Sequence, residues 1–140
     1  MKRIVLAASV VFAAAASPAA AEKGATTFDC EMKRFTNNGW IPPRVIVTLA
    51  EGEESAQVYD GIIHEVIGKP IPADITPRNE TMVNLGWHVK GIPVSNLGGT
   101  AEVQYFGVLN MAKQTLSVRG IVSGFVNQPR ARGNCKVKRG

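Results

Sequence analysis

Thr81-Met82-Val83-Asn84-Leu85-Gly86-Trp87-His88-Val89-Lys90 is the stretch whose reading decides the fold. Val83, Leu85, Trp87 and Val89 fall on one phase of a two-residue period, and Met82, Asn84, Gly86 and His88 on the other. Successive side chains of an extended strand point to opposite faces, so this segment has one apolar face to bury and one face left to solvent. The same pattern recurs on both sides of it. Phe28, Cys30 and Met32 alternate with Asp29, Glu31 and Lys33, and Val45, Val47 and Leu49 alternate with Ile46 and Thr48. Further strands are expected over Ser55–Tyr59, Ile62–Ile67, Ala101–Leu109, Thr115–Val126 and Asn134–Lys138, which makes eight.

Turn chemistry separates the strands. Asn38-Gly39 and Asp60-Gly61 are strong hairpin signals, and Glu51-Gly52-Glu53-Glu54 supplies a third turn. Beyond residue 21 a helical period is absent, a turn within Pro72–Glu80 excepted. Short, neighbouring strands joined by turns favour an all-β fold, a small antiparallel β-barrel or β-sandwich of about eight strands, over any βαβ arrangement. Gly86, Gly107, Gly120 and Gly124 suit the bends and bulges of such a sheet.

The first 21 residues read differently. Lys2 and Arg3 precede an apolar run from Ile4 to Ala16 broken only by Ser9, and Ser17-Pro18-Ala19-Ala20-Ala21 is a small-residue cleavage pattern. That predicts an export signal over 1–21, cleaved after Ala21, and a single β domain over 22–140 in the periplasm or outside the cell. About 13 apolar residues rising roughly 1.5 Å each fall short of a bilayer core of about 30 Å, so no transmembrane segment is expected. The 140 residues include 45% apolar residues, but 16 of these lie in the first 21 positions. What remains suits one modest core and leaves no room for a separate cofactor domain.

Export implies an oxidising compartment, and Cys30 and Cys135 are the two cysteines of the chain. One disulfide closing nearly the whole domain is the simplest reading. It would bring the first and last strands together, because bridged Cα atoms lie about 4.4–6.8 Å apart. That proximity favours a closed barrel.

Charge is distributed unevenly. Residues 22–102 hold 11 acidic and 7 basic side chains, whereas residues 103–140 hold 7 basic and no acidic ones. Arg130, Arg132, Lys136, Lys138 and Arg139 crowd the final strand and form a candidate site for an anionic envelope component or a secreted protein. The competing expectation is that this strand pairs with Asp29 and Glu31 on the first. Nucleic acid is not expected as a partner, since aromatic residues that would stack bases are few.

Two proline- and glycine-rich segments, 68–80 and 91–100, are expected to be loops and, if they share an end of the sheet, to frame a pocket with Trp40, Ile71, Ile75 and Arg78. Trp40 is read either as an end plug or as a recognition aromatic. His64 and His88, with Asp60 or Glu65, are the only material for a metal site, and they lack ligand spacing. There is no Gly-x-Ser-x-Gly elbow and no phosphate-binding loop, so neither a cofactor nor catalysis is expected.

Phe28-x-Cys30, Trp87-x-x-Lys90-Gly91 and Asn134-Cys135, placed behind an export signal, give an outline similar to that of the bacterial periplasmic lysozyme inhibitors of the small barrel type. The similarity covers a handful of positions. The inhibitory Ser-Gly segment ahead of an aromatic would have to be Ser123-Gly124-Phe125, later in the chain than that family places it. A lipocalin-like carrier is a second architectural analogy, but its Gly-x-Trp signature is absent, Gly39 and Trp40 being adjacent. The sequence thus supports an exported, non-catalytic binding protein acting through 68–80, 91–100 and the basic last strand. Its alternatives are an inhibitor of a secreted hydrolase such as lysozyme and a small hydrolase or metal-dependent enzyme.

Overall fold

The computed structural model describes residues 24–35, 39–94, 98–126 and 128–140. Val83, Leu85, Trp87 and Val89 all point inward and are almost fully buried, as their period requires. Eight antiparallel strands surround them: β1 (Thr26–Arg34), β2 (Arg44–Leu49), β3 (Ala56–Asp60), β4 (Ile71–Pro77), β5 (Met82–Val94), β6 (Gly99–Asn110), β7 (Thr115–Val122) and β8 (Arg130–Arg139). Each pairs with its neighbour in sequence, and β8 returns to β1, so the sheet is a closed up-and-down barrel rather than a sandwich. An eight-stranded barrel is just wide enough for side chains to fill it. Here the filling comes from the inward phase of every strand, from Phe28 and Val47 to Val103, Leu116 and Ala131.

The seam between β1 and β8 closes the wall. Nine register pairs run from Thr26↔Arg139 to Arg34↔Ala131, with Cys30 directly opposite Cys135. The two form a buried disulfide across 105 residues of sequence, with Cα atoms 3.9 Å apart. Glycine is required beside it, because a Cβ at Gly133 would overlap the backbone carbonyl of Glu31 on the facing strand. Closure gives each of the eight strands a partner on both sides along part of its length.

The strand count agrees with the sequence, but one strand moves. Ile62–Ile67 is not extended: Gly61–Val66 forms a helix, α1, whose N-cap is Asp60. The Asp60 carboxylate accepts the Ile63 N–H at 2.8 Å, so the Asp-Gly pair starts a helix instead of turning a hairpin. Segment 68–80 is likewise not a loop, since β4 occupies Ile71–Pro77. Its prolines are tolerated because the two ladders do not overlap. Residues 71–73 pair with β3 and 74–77 with β5, so Pro72 and Pro77 each face a partner on one side only.

Segment 91–100 also shrinks. The β5–β6 pairing skips between Val89 and Ile92, where Lys90 and Gly91 form a bulge with Gly91 at φ 77°. The extra residue restores Ile92 to the interior, and the strand continues to Val94. Residues 95–97, Asn38 of the expected Asn38-Gly39 turn and the export segment 1–21 lie outside the described residues. At the same end of the sheet β7 stops at Val122, so Ser123 and Gly124 belong to a turn and not to a strand.

One barrel end, here called the upper end, carries the β1–β2, β3–β4, β5–β6 and β7–β8 connections; the lower end carries the remaining three and the chain's last residues. Ile41 and Ile63 plug the upper end. Beneath them Trp87 stacks on Tyr105 with centroids 5.4 Å apart, and the Tyr105 hydroxyl donates to the Trp40 carbonyl oxygen at 2.6 Å. Burial pushes the Tyr105 hydroxyl well above its ordinary pKa, which keeps it a donor. Burial likewise raises the Asp60 carboxyl, against the opposing effect of the α1 amides.

Two stability effects are expected. Replacing both cysteines with serine should lower unfolding free energy by about 2–5 kcal/mol, the range for a long closed loop, as read by urea denaturation; no change would mean that the seam holds itself. For Asp60 the sign follows from its raised pKa. The folded state holds this proton more tightly than the unfolded chain, so its contribution to stability declines as pH rises through the window above the ordinary aspartate value. Asp60→Asn, an equally good cap, should flatten that decline without loss at neutral pH, whereas Asp60→Ala should cost about 1–2 kcal/mol.

Candidate functional site

The outward phase of β8 sets out its cations at every second position. Arg130, Arg132, Lys136 and Lys138 face solvent, separated by the inward Ala131, Gly133, Cys135 and Val137. Arg139 falls on the inward phase, but at the lower end, where it too is exposed. The sequence grouped these five by their nearness in the chain; the barrel divides them. Lys136 lies opposite Asp29 on β1 and Lys138 opposite Thr27, while Arg130 and Arg132 lie in the upper half beside β7 and the end of β1.

There they meet residues that sequence reasoning did not single out. Arg119 on β7 is directly opposite Arg130, and Lys33 on β1 is directly opposite Arg132. Like charges facing one another across a sheet destabilise it. None of these four cations makes an ion pair among the described residues. Asp29, expected to pair with the last strand, is instead held by Arg44 through two hydrogen bonds of 2.8 and 2.6 Å. That bond, aided by the charges of Arg44 and Lys136, holds the Asp29 carboxyl below its ordinary pKa, although partial burial opposes it. Glu31 faces Arg44 and Asn134 across the sheet and forms no ion pair among the described residues.

Aromatic rings flank the cluster. The Arg119 guanidinium lies 4.7 Å above the centre of the Phe106 ring, itself on the outward face of β6 where a polar residue is the rule. Phe35, at the end of β1, is 69% exposed and bonds through its N–H to the Arg130 carbonyl. A groove of about 580 Å³ runs between Phe106, Ser117, Arg119, Arg130 and Phe35. A second, of about 820 Å³, lies between Lys33, Pro43, Arg132 and Lys136, and the two share Phe35 and Arg132. Each is large enough for a ligand of headgroup or monosaccharide size. Arg119 and Phe106 were legible only as outward-phase residues of their strands, a signal that acquires meaning once the neighbouring strands are known.

The remaining candidates do not converge. Trp40 packs on the core at the upper end, its ring centroid 5.8 Å from that of Phe125, in the plug position. Ile71 and Ile75 pack against the core from β4, and Arg78 lies beyond the lower end of that strand, so Trp40, Ile71, Ile75 and Arg78 do not frame one pocket. His64 on α1 bonds to the Tyr59 hydroxyl, and His88 pairs with Glu102 at 2.6 Å on the outer face of β5 and β6. Among the described residues no three His, Cys, Asp or Glu side chains are grouped to hold a metal ion.

Comparison of the chain with known protein families, with curated proteins and with solved structures found no match in any of the three.

The facing cations generate a stability prediction of unusual sign. Arg132→Glu converts its contact with Lys33 from repulsion to attraction and should raise unfolding free energy by about 0.2–1 kcal/mol in low-salt urea denaturation, the gain fading as salt is added. A loss of stability would show that the guanidinium is needed by the fold.

Proposed function

We propose that this chain is an exported, non-catalytic binding protein of the cell envelope, and that it engages an anionic partner through the outer face of β7, β8 and β1. One observation carries the reading: Arg119 faces Arg130 and Lys33 faces Arg132, with no acid pairing any of them among the described residues. A sheet that places like charges opposite each other forgoes stability that single substitutions would restore, and a bound anion is the compensation. The export pattern of residues 1–21 and the buried disulfide support an oxidising, extracytoplasmic location. The partner meets strand faces and the rim of the barrel, and the segments 68–80 and 91–100 contribute little loop to it, being mostly wall.

Retention on phosphocellulose under increasing salt tests this. At about 1 kcal/mol per cation, replacing Arg130 and Arg132 together by glutamine should weaken retention roughly 30-fold. Lys138→Gln, in the lower half of the same strand, should have a much smaller effect. Retention that ignores both salt and the double substitution would refute the reading.

A further inference from the structure

The barrel is polarised along its axis. Six large apolar side chains are exposed among the described residues: Phe35, Ile67, Phe106, Ile121, Phe125 and Val126. Phe35, Ile67, Phe125 and Val126 belong to upper-end connections, following β1, α1 and β7, and Ile121 is next to the last residue of β7 on the same side. Val126 is 94% exposed, as far out of the fold as a side chain can be. Phe125 packs against Trp40 in a T-shaped contact. The lower end is different in kind. Its β2–β3 connection carries Glu51, Glu53 and Glu54, its β4–β5 connection carries Glu80, all exposed, and it shows no exposed large apolar side chain among the described residues.

Protruding apolar tips ringed by cations are the chemistry of an anionic lipid surface. Apolar side chains enter the boundary between headgroups and acyl chains, and Lys or Arg nearby adds attraction to headgroup phosphates. Arg119, Arg130, Arg132 and Lys33 stand on the wall just behind Phe35 and the β7–β8 turn, where headgroups would lie once the tips are immersed. The opposite end also carries Arg78, Lys113, Lys138 and Arg139, which balance its four glutamates, so it offers neither the apolar tips nor the net positive charge of the upper end, and that difference sets one orientation. The upper end has its own acids, Glu65 on α1 and Glu102 on β6, and Glu102 is paired with His88. Full insertion of the barrel is opposed by its wall, where Asp29, Arg44 and Lys136 face outward at mid-height while the interior is apolar, the reverse of a lipid-facing barrel.

We infer that the upper end of the barrel docks on anionic membrane surfaces, with Phe35, Phe125 and Val126 immersed at the interface and the Arg119–Arg130–Arg132–Lys33 cluster on lipid phosphates. This rests on the anion-binding reading above and names its partner. Co-sedimentation of the full chain, processed by its host, with phosphatidylcholine vesicles, with and without phosphatidylglycerol, tests it, alongside the phosphocellulose measurement. Binding is expected to rise about tenfold or more with phosphatidylglycerol and to shift the tryptophan emission to shorter wavelength, since Trp40 lies against Phe125. Phe125→Ser with Val126→Ser should reduce vesicle binding about tenfold and leave phosphocellulose retention unchanged; both side chains are exposed, and an unaltered urea midpoint would confirm the fold. Retention on phosphocellulose without binding to anionic vesicles would overturn the membrane inference and leave the anion-binding reading standing. Loss of both would remove both. Vesicle binding that the double serine variant retains in full would also overturn it, since the tips would then contribute nothing.

Discussion

Everything in this barrel depends on the seam where β8 returns to β1. Seven of its eight strand pairings join neighbours in sequence, but the eighth must bring together segments about 100 residues apart. Loop-closure entropy opposes that step, and in the chain-entropy model the Cys30–Cys135 cross-link removes much of it from the unfolded state. Gly133 then allows the two backbones to approach at the neighbouring position, and nine register pairs follow. Without closure β1 and β8 would be open edges, and the apolar interior would have a side exposed to water.

The same seam creates the candidate site. Bringing β8 beside β1 sets Arg132 opposite Lys33, and the β7–β8 pairing sets Arg130 opposite Arg119. Four cations from three strands thus gather at the upper half of the wall, while the acids that balance them in the overall composition lie elsewhere: Asp29 is taken by Arg44, and Glu51, Glu53, Glu54 and Glu80 sit at the far end. The residues of the proposed anion site are those that the sheet would be more stable without, because like charges face one another there.

Strand character was readable wherever one face is buried and the other wet, because a period of two survives in a single chain; β5 is the clearest instance. Two local signals misled for identifiable reasons. Asp60-Gly61 suits both a hairpin and a helix start, and the choice fell to the helix because Ile63 fills the barrel mouth and the Asp60 carboxylate caps the helix from within. The prolines of β4 argue against a strand only if both neighbours demand its amides, and the offset ladders on its two sides remove that demand.

By itself the sequence determined the all-β class, the pairing of its two cysteines and the excess of positive charge in its last quarter, because alternation, cysteine count and composition are properties of the chain that no neighbour can alter. Only the tertiary structure decided that the sheet closes rather than folding into two layers, and which cations share a face. Those depend on register, and register is set by contacts between strands far apart in sequence: Lys33 and Arg132 are 99 positions apart yet directly opposite one another. The gathering at one end of exposed apolar tips and of cations unpaired among the described residues is of the same kind. It follows from the up-and-down path, which sends alternate connections to opposite ends and thereby sorts residues that the sequence lists in mixed order.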